Sequence, residues 1–162
     1  MVATSTWVRR TAPSAMADEL VGSVHALLQS VLRRAHPALD AEGISIGQFW
    51  AMHLVSSLHS ASLSTVARRL SVSSPTICAK VDELENAGLL TRHRSERDHR
   101  TVELSLTAKG RRVESRLWNQ IGGMMAEASA DLPAEDVATA LRVFRELNRR
   151  LDPLHLKEAD RA

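Results

Sequence analysis

Between Leu63 and Gly110 the hydrophobic period changes twice, and that change restricts the fold more than anything else in the sequence. Leu63, Val66, Ala67 and Leu70 recur at helical spacing, which predicts a short helix whose Thr65, Arg68 and Arg69 face outward. Ser64 is placed to cap its start. Ser71, Val72 and Ser73 then make a turn. A second helix follows from about Ser74 to Ala87, with Ser73 or Ser74 as N-cap and Pro75 in the first turn, where its missing N–H costs nothing. Ile77, Val81 and Leu84 form its inward stripe, and Gly88 suits the left-handed conformation that ends a helix. Beyond it the period falls to two. Leu89 to His93 and Thr101 to Leu106 read as strands, with Val102, Leu104 and Leu106 inward and Thr101, Glu103 and Ser105 outward.

Between these strands lies a polar tip, Arg94 to Arg100, with Arg94, Arg97 and Arg100 in it. Such a tip has little core to build, which leaves solvent or phosphate as its partner. The hydroxyls of Ser73, Ser74 and Thr76 stand at a helix N-terminus, where backbone N–H groups favour an anion. Helix, turn, helix and charged hairpin together make a winged helix-turn-helix, in which a helix enters the major groove and a wing approaches the flanking backbone or minor groove. Charge is distributed accordingly. Residues 62 to 112 carry ten Lys/Arg against six Asp/Glu, and the remainder eleven against thirteen. The competing reading is an ordinary solvated surface, because the excess is modest.

Long helices flank this region. Ala15 to His36 carries Leu20, Val24, Leu27, Leu28, Val31 and Ala35 on one broad face, and Pro37 argues against much continuation. Ser45 caps a helix to about His59 that is apolar on more than one side (Ile46, Phe49, Trp50, Met52, Leu54, Val55, Leu58). After the wing, Thr107 caps a long helix striped by Val113, Leu117, Ile121, Met124 and Ala128, with Gly122 and Gly123 marking a kink or a close crossing. Leu132-Pro133 breaks the chain before a last helix, about Ala134 to Leu151, striped by Val137, Leu141, Phe144, Leu147 and Leu151. The expected organisation is an arm at 1–14, a dimerisation helix and loop at 15–43, the reading head at 44–112, dimerisation helices at 113–152 and a tail at 153–162. The fold class is mainly α, and apolar terminal helices without a second domain to cover point to a homodimer on a pseudo-palindromic duplex.

The most specific run is Val81-Asp82-Glu83-Leu84-Glu85-Asn86-Ala87-Gly88-Leu89-Leu90-Thr91-Arg92, followed by Asp98-His99-Arg100 and Leu106-Thr107-Ala108-Lys109-Gly110. A leucine–glutamate pair ahead of a glycine, an Asp-x-Arg wing and Leu-Thr-x-x-Gly in this order resemble the MarR family of bacterial transcriptional regulators. The resemblance implies a dimeric, sequence-specific regulator, usually a repressor and often released by a small phenolic or anionic ligand. It places Ser73, Ser74, Pro75, Thr76 and Lys80 toward the major groove and Arg100 in the wing, oriented by Asp98. It also implies an effector pocket between reading head and dimer helices, with His25, Trp50, His53, Arg116 and Trp118 as candidate lining. Cys78 and Ala79 depart from the pattern: they stand where many relatives carry Thr and a long polar or basic residue, and neither makes a bidentate base contact. Readout then depends more on the helix start and on DNA shape.

Other chemistry has little support. Cys78, the single cysteine, is expected as a small buried hydrophobe, with a redox thiol as the rival reading. The seven histidines show no i, i+4 pairing and no zinc spacing, so no metal is expected. There is no glycine-rich phosphate loop, nucleophile elbow, HExxH or tyrosine, which argues against an enzyme and against a cofactor. Scarce aromatics argue against single-stranded nucleic acid. The lone cysteine, the lack of a long apolar run and an N-terminus unlike a signal peptide predict a cytoplasmic protein away from membranes. The alternatives are a winged helix used as a protein-interaction module and a non-specific architectural DNA binder.

Overall fold

The computed structural model describes residues 15–58, 61–95 and 101–151. In chain order these form α1 (Ala15–Ala41), α2 (Ile46–Ser57), β1 (Ala61–Ser62), α3 (Leu63–Arg69), α4 (Ser74–Asn86), β2 (Leu90–Arg94), β3 (Val102–Leu106), α5 (Ala108–Ser129) and α6 (Ala134–Leu151). The strands make one antiparallel sheet in the order β1-β3-β2, registered with Leu90 opposite Leu106, Arg94 opposite Val102 and Ala61 opposite Leu104. The fold is a mainly helical winged helix-turn-helix with long terminal helices. It divides into two compact units, with the boundary between Ile121 and Gly122. The expected arm and tail lie outside the described residues.

In the first unit the core gathers wherever the helical stripes converge. Phe49 and Met52 of α2, Val66 of α3, Ile77, Val81 and Leu84 of α4 and Leu90 of β2 are fully buried. Three helices and one sheet face therefore share a single interior, which fixes α4 against the rest of the head. Ser45 caps α2 in a full capping box: its hydroxyl accepts from the Gln48 N–H while the Gln48 side chain accepts from its own.

Four details differ from the sequence-based expectations. Helix α1 continues through Pro37 to Ala41. Proline removes one helical N–H, but Ala35 and Leu39 on the flanking turns are buried in the core, and that packing carries the helix onward. The helix ends at Ala41 and the chain turns away at Gly43, whose φ of 66° is left-handed. Helix α3 is capped by Ser62 rather than Ser64, the Ser62 hydroxyl accepting from the Thr65 N–H at 3.2 Å. The reason is β1, a strand too short to show any period: pairing with β3 holds Ser62 extended immediately before the helix. Helix α2 ends at Ser57, two residues short of His59. Finally, both wing strands begin one residue late and Val102, expected inward, is 40% exposed.

The flanking helices are unlike the head. Along α1, Leu20, Val24, Leu27 and Leu28 are all exposed, and only its C-terminal end reaches the core. Within the second unit, α6 buries none of its residues, and Leu141, Phe144 and Leu151 are exposed. There Glu146 accepts from both Arg149 and Arg150, which holds its carboxyl down at about 2. Helix α5 passes through Gly122 and Gly123 without interruption, and a β-carbon on either would meet nothing within 4 Å. None of the described helices is long and apolar enough to cross a membrane.

Candidate nucleic-acid interface

Helix α4 is set at its start by a tight turn. Ser71 takes a left-handed φ of 53°, and the Val72 N–H returns to the Ala67 carbonyl at 3.0 Å. Ser73 then caps the helix: its hydroxyl accepts from the Thr76 N–H at 3.3 Å and lies 2.7 Å from the Thr76 hydroxyl. Ser73, Ser74, Pro75 and Thr76 are all exposed, while Ile77, Val81 and Leu84 on the opposite face are fully buried. The helix therefore presents a hydroxyl-rich first turn to solvent on a rigid base. Its anion-binding capacity is smaller than the sequence suggests, because Pro75 has no N–H and Ser73 occupies that of Thr76.

Lys80 does not join this surface. Its ammonium lies across the first turn of α2, 2.9 Å from where a β-carbon on Gly47 would stand. Cys78 is half-buried rather than enclosed, which corrects the expectation of a buried hydrophobe. Ala79 is exposed and offers only a methyl group.

In the wing, Arg94 ends β2 and is exposed. Ser95 is buried, donates from its N–H to the Thr101 carbonyl at 2.9 Å and from its hydroxyl to Glu103 Oε1 at 2.8 Å, closing the described end of the hairpin. Arg97, Asp98 and Arg100, the remaining wing candidates, lie outside the described residues.

Three sets of contacts that composition does not reveal hold α4 to its neighbours. Arg92 of β2 donates to Asp82 Oδ1 at 2.5 Å and to Glu85 Oε2 at 2.6 Å. Burial works against the charge of this guanidinium, but hydrogen bonds to the two carboxylates outweigh it and raise its pKa above the ordinary value. At the helix C-terminus, the start of α5 collects the loose carbonyls: Thr107 Oγ1 donates to Gly88 O at 2.7 Å, Lys109 Nζ to Ala87 O at 2.9 Å, and the Thr107 N–H to Leu89 O at 3.1 Å. A third brace is Gln48, buried beneath α4, whose amide donates to Glu83 Oε2 at 2.7 Å.

The expected effector residues are partly assembled. His53 stacks on Trp118 with ring centroids 4.0 Å apart, and Trp50 meets both edge-on. His53 Nδ1 lies 2.9 Å from Glu114 Oε1, a buried carboxylate that the sequence reading missed. Its type does not mark it, since a glutamate beside Arg112, Ser115 and Arg116 reads as part of a solvated face although Val113 and Leu117 next to it are buried. Arg116 instead pairs with Glu42, and His25 stands on the exposed face of α1 beside Gln29. A separate cleft of about 250 Å³ lies between the end of α2 and the sheet, lined by Val55, Leu58, His93, Leu104 and Arg111 among others. Among the described residues no group of three His, Cys, Asp or Glu could hold a metal ion.

Comparison with known proteins agrees with this geometry. Residues 42–101 match the family model described as MarR family. The HTH-type transcriptional repressor MdtR of Bacillus subtilis (strain 168) is 26% identical over 98 residues, which is 58% of this chain and 63% of that protein, so the match spans just under two thirds of the repressor. A MarR family protein from Bacillus stearothermophilus superposes with a TM-score of 0.76 at 19% identity, over 87% of this chain and 99% of that one. The transcriptional repressor CouR, bound to a 23-mer DNA duplex, superposes with a TM-score of 0.65 at 23% identity, over 84% of this chain and 96% of that one. At these identities the structures speak for the fold.

Proposed function

From a MarR-family segment at residues 42–101 set within a MarR-type winged-helix fold, we infer that the chain is a sequence-specific transcriptional regulator of duplex DNA. The observation that carries this is the exposed turn Ser73–Thr76 on a helix whose C-terminal half is braced to its neighbours, beside an arginine-bearing hairpin. Ser73, Ser74, Pro75 and Thr76 enter the major groove, where Lys80 joins them once its stem swings from α2, and Arg94, Arg97 and Arg100 meet phosphates or the minor groove, with Asp98 orienting Arg100. CouR, similar in fold, is a repressor bound to DNA, and MdtR is named a repressor, which supports repression.

The reading includes a homodimer. Residues 15–43 and 113–152 supply it around a reading head at 44–112. Four large apolar side chains on one face of α1 and four on α6 are exposed in the single chain, more than an isolated helix face tolerates. A small effector would act at the Trp50–His53–Trp118 cluster, where α2 of the reading head meets α5. The test of the DNA reading is fluorescence anisotropy with the protein's own upstream DNA and scrambled DNA at several salt concentrations. Preference for the upstream fragment that persists at physiological salt is expected. Weak binding to both that collapses with salt would leave only the non-specific phosphate contribution.

A further inference from the structure

We propose that Arg92 is a positioning residue for DNA recognition, fixing the angle between α4 and the wing without itself touching DNA. The inference rests on the DNA-binding reading above. Asp82 and Glu85 stand three residues apart on one face of α4, and the Arg92 guanidinium spans them, one nitrogen on each. The Arg92 backbone N–H also donates to Glu85 Oε1 at 3.2 Å, so the strand and its side chain grip the same carboxylate. Nη2 further approaches the Cys78 carbonyl at 3.5 Å, which extends the contact over two turns of the helix.

This arrangement argues against Arg92 as a phosphate ligand. Its donors are directed into two carboxylates that would repel a phosphate brought alongside. What remains is mechanical. Helix and wing also share the core in which Leu84 and Leu90 are buried and the short turn through Gly88, whose left-handed φ is 68°, but on the exposed side the Arg92 bridge spans them. A wing strand of this length projects roughly 17 Å, so a tilt of about 10° would move its tip by about 3 Å, enough to separate wing and helix contacts on one duplex. A planar guanidinium that bridges two fixed carboxylates resists that tilt better than a single flexible ion pair.

The deciding experiment exploits sign. The double variant Asp82→Asn/Glu85→Gln removes two negative charges from a DNA-facing helix, and electrostatics alone would tighten binding to every duplex. Positioning predicts the reverse for the operator: affinity falls about tenfold as both heads of a dimer lose alignment, while scrambled DNA binds as well or better. Arg92→Lys, which keeps the charge but loses the fork, is expected to weaken operator binding in the same direction with an unchanged slope of log K against log[salt]. Stoichiometric titration against excess operator counts competent protein, so partial unfolding is not mistaken for lost alignment. The proposal is overturned if the double variant binds the operator as tightly as the wild type or more tightly. It is equally overturned if Arg92→Lys or Arg92→Ala reduces the salt slope by about one, the mark of a lost phosphate contact. Absence of operator preference in the wild type would remove the DNA reading and this inference with it, before any variant is measured.

Discussion

Gly110 of α5 lies so close to Leu89 that a β-carbon on the glycine would stand 1.9 Å from the Leu89 carbonyl oxygen. That approach lets the first turn of α5 clamp the end of α4, and it gives the Leu-Thr-x-x-Gly motif a physical meaning. Thr107 both caps α5, accepting from the Gly110 N–H at 2.9 Å, and donates to the Gly88 carbonyl, so glycine is the one residue that fits beneath it.

Gly110→Ala should therefore destabilise the head by about 1–3 kcal/mol, the scale of overpacking against a backbone that cannot yield. Urea denaturation followed by tryptophan fluorescence measures it. Gly122→Ala is the control, in open space within a helix, and should stabilise by roughly 0.5–1 kcal/mol. A loss there instead would mean that another chain's backbone crosses at Gly122.

Exposed apolar side chains on α6 give the dimer its test. Leu141 is 49% exposed in the single chain, so Leu141→Arg should leave the protomer folded but convert dimer to monomer by light scattering. Operator binding should fall with it. A variant that is still dimeric would place the interface elsewhere.

At the α2–α5 joint, His53→Ala would leave the buried Glu114 carboxylate without its ring partner. A cost of about 1–3 kcal/mol is expected from an unsatisfied buried acceptor. Loss of the stack on Trp118 should also change the emission of that tryptophan, which circular dichroism and fluorescence melts separate from global unfolding.

For the wing, Arg94→Ala and Arg100→Ala should each weaken operator binding by roughly 1–3 kcal/mol with the dimer intact, and each should lower the salt slope by about one. Retained affinity in both variants would remove the wing from the mechanism.

Much of this architecture was legible because periodicity reports burial directly. Ile77, Val81 and Leu84 are inward because their spacing leaves no other face, and Ser45, Thr107 and Pro133 punctuate the chain where local chemistry is decisive. Pro37 misled because its local cost is overridden by Ala35 and Leu39 in the core, a tertiary effect that no window contains. Ser62 was missed as a cap because a two-residue strand leaves no pattern. At the site, the exposed Ser73–Thr76 turn could be read from hydroxyl types alone. Arg92, Glu114 and Gln48 could not be assigned, since their roles depend on partners distant in sequence: Glu114 lies 61 residues from His53, and Gln48 35 residues from Glu83.

In the proposed complex two identical reading heads engage one duplex together. Hydroxyl-radical footprinting of the protein on its upstream DNA tests this most directly. Two symmetric sets of protected sugars are expected, centred about one helical turn apart or a multiple of it, each with a helix-contacted major groove flanked by wing protection. A single protected patch, or uniform weak protection along the fragment, would contradict it.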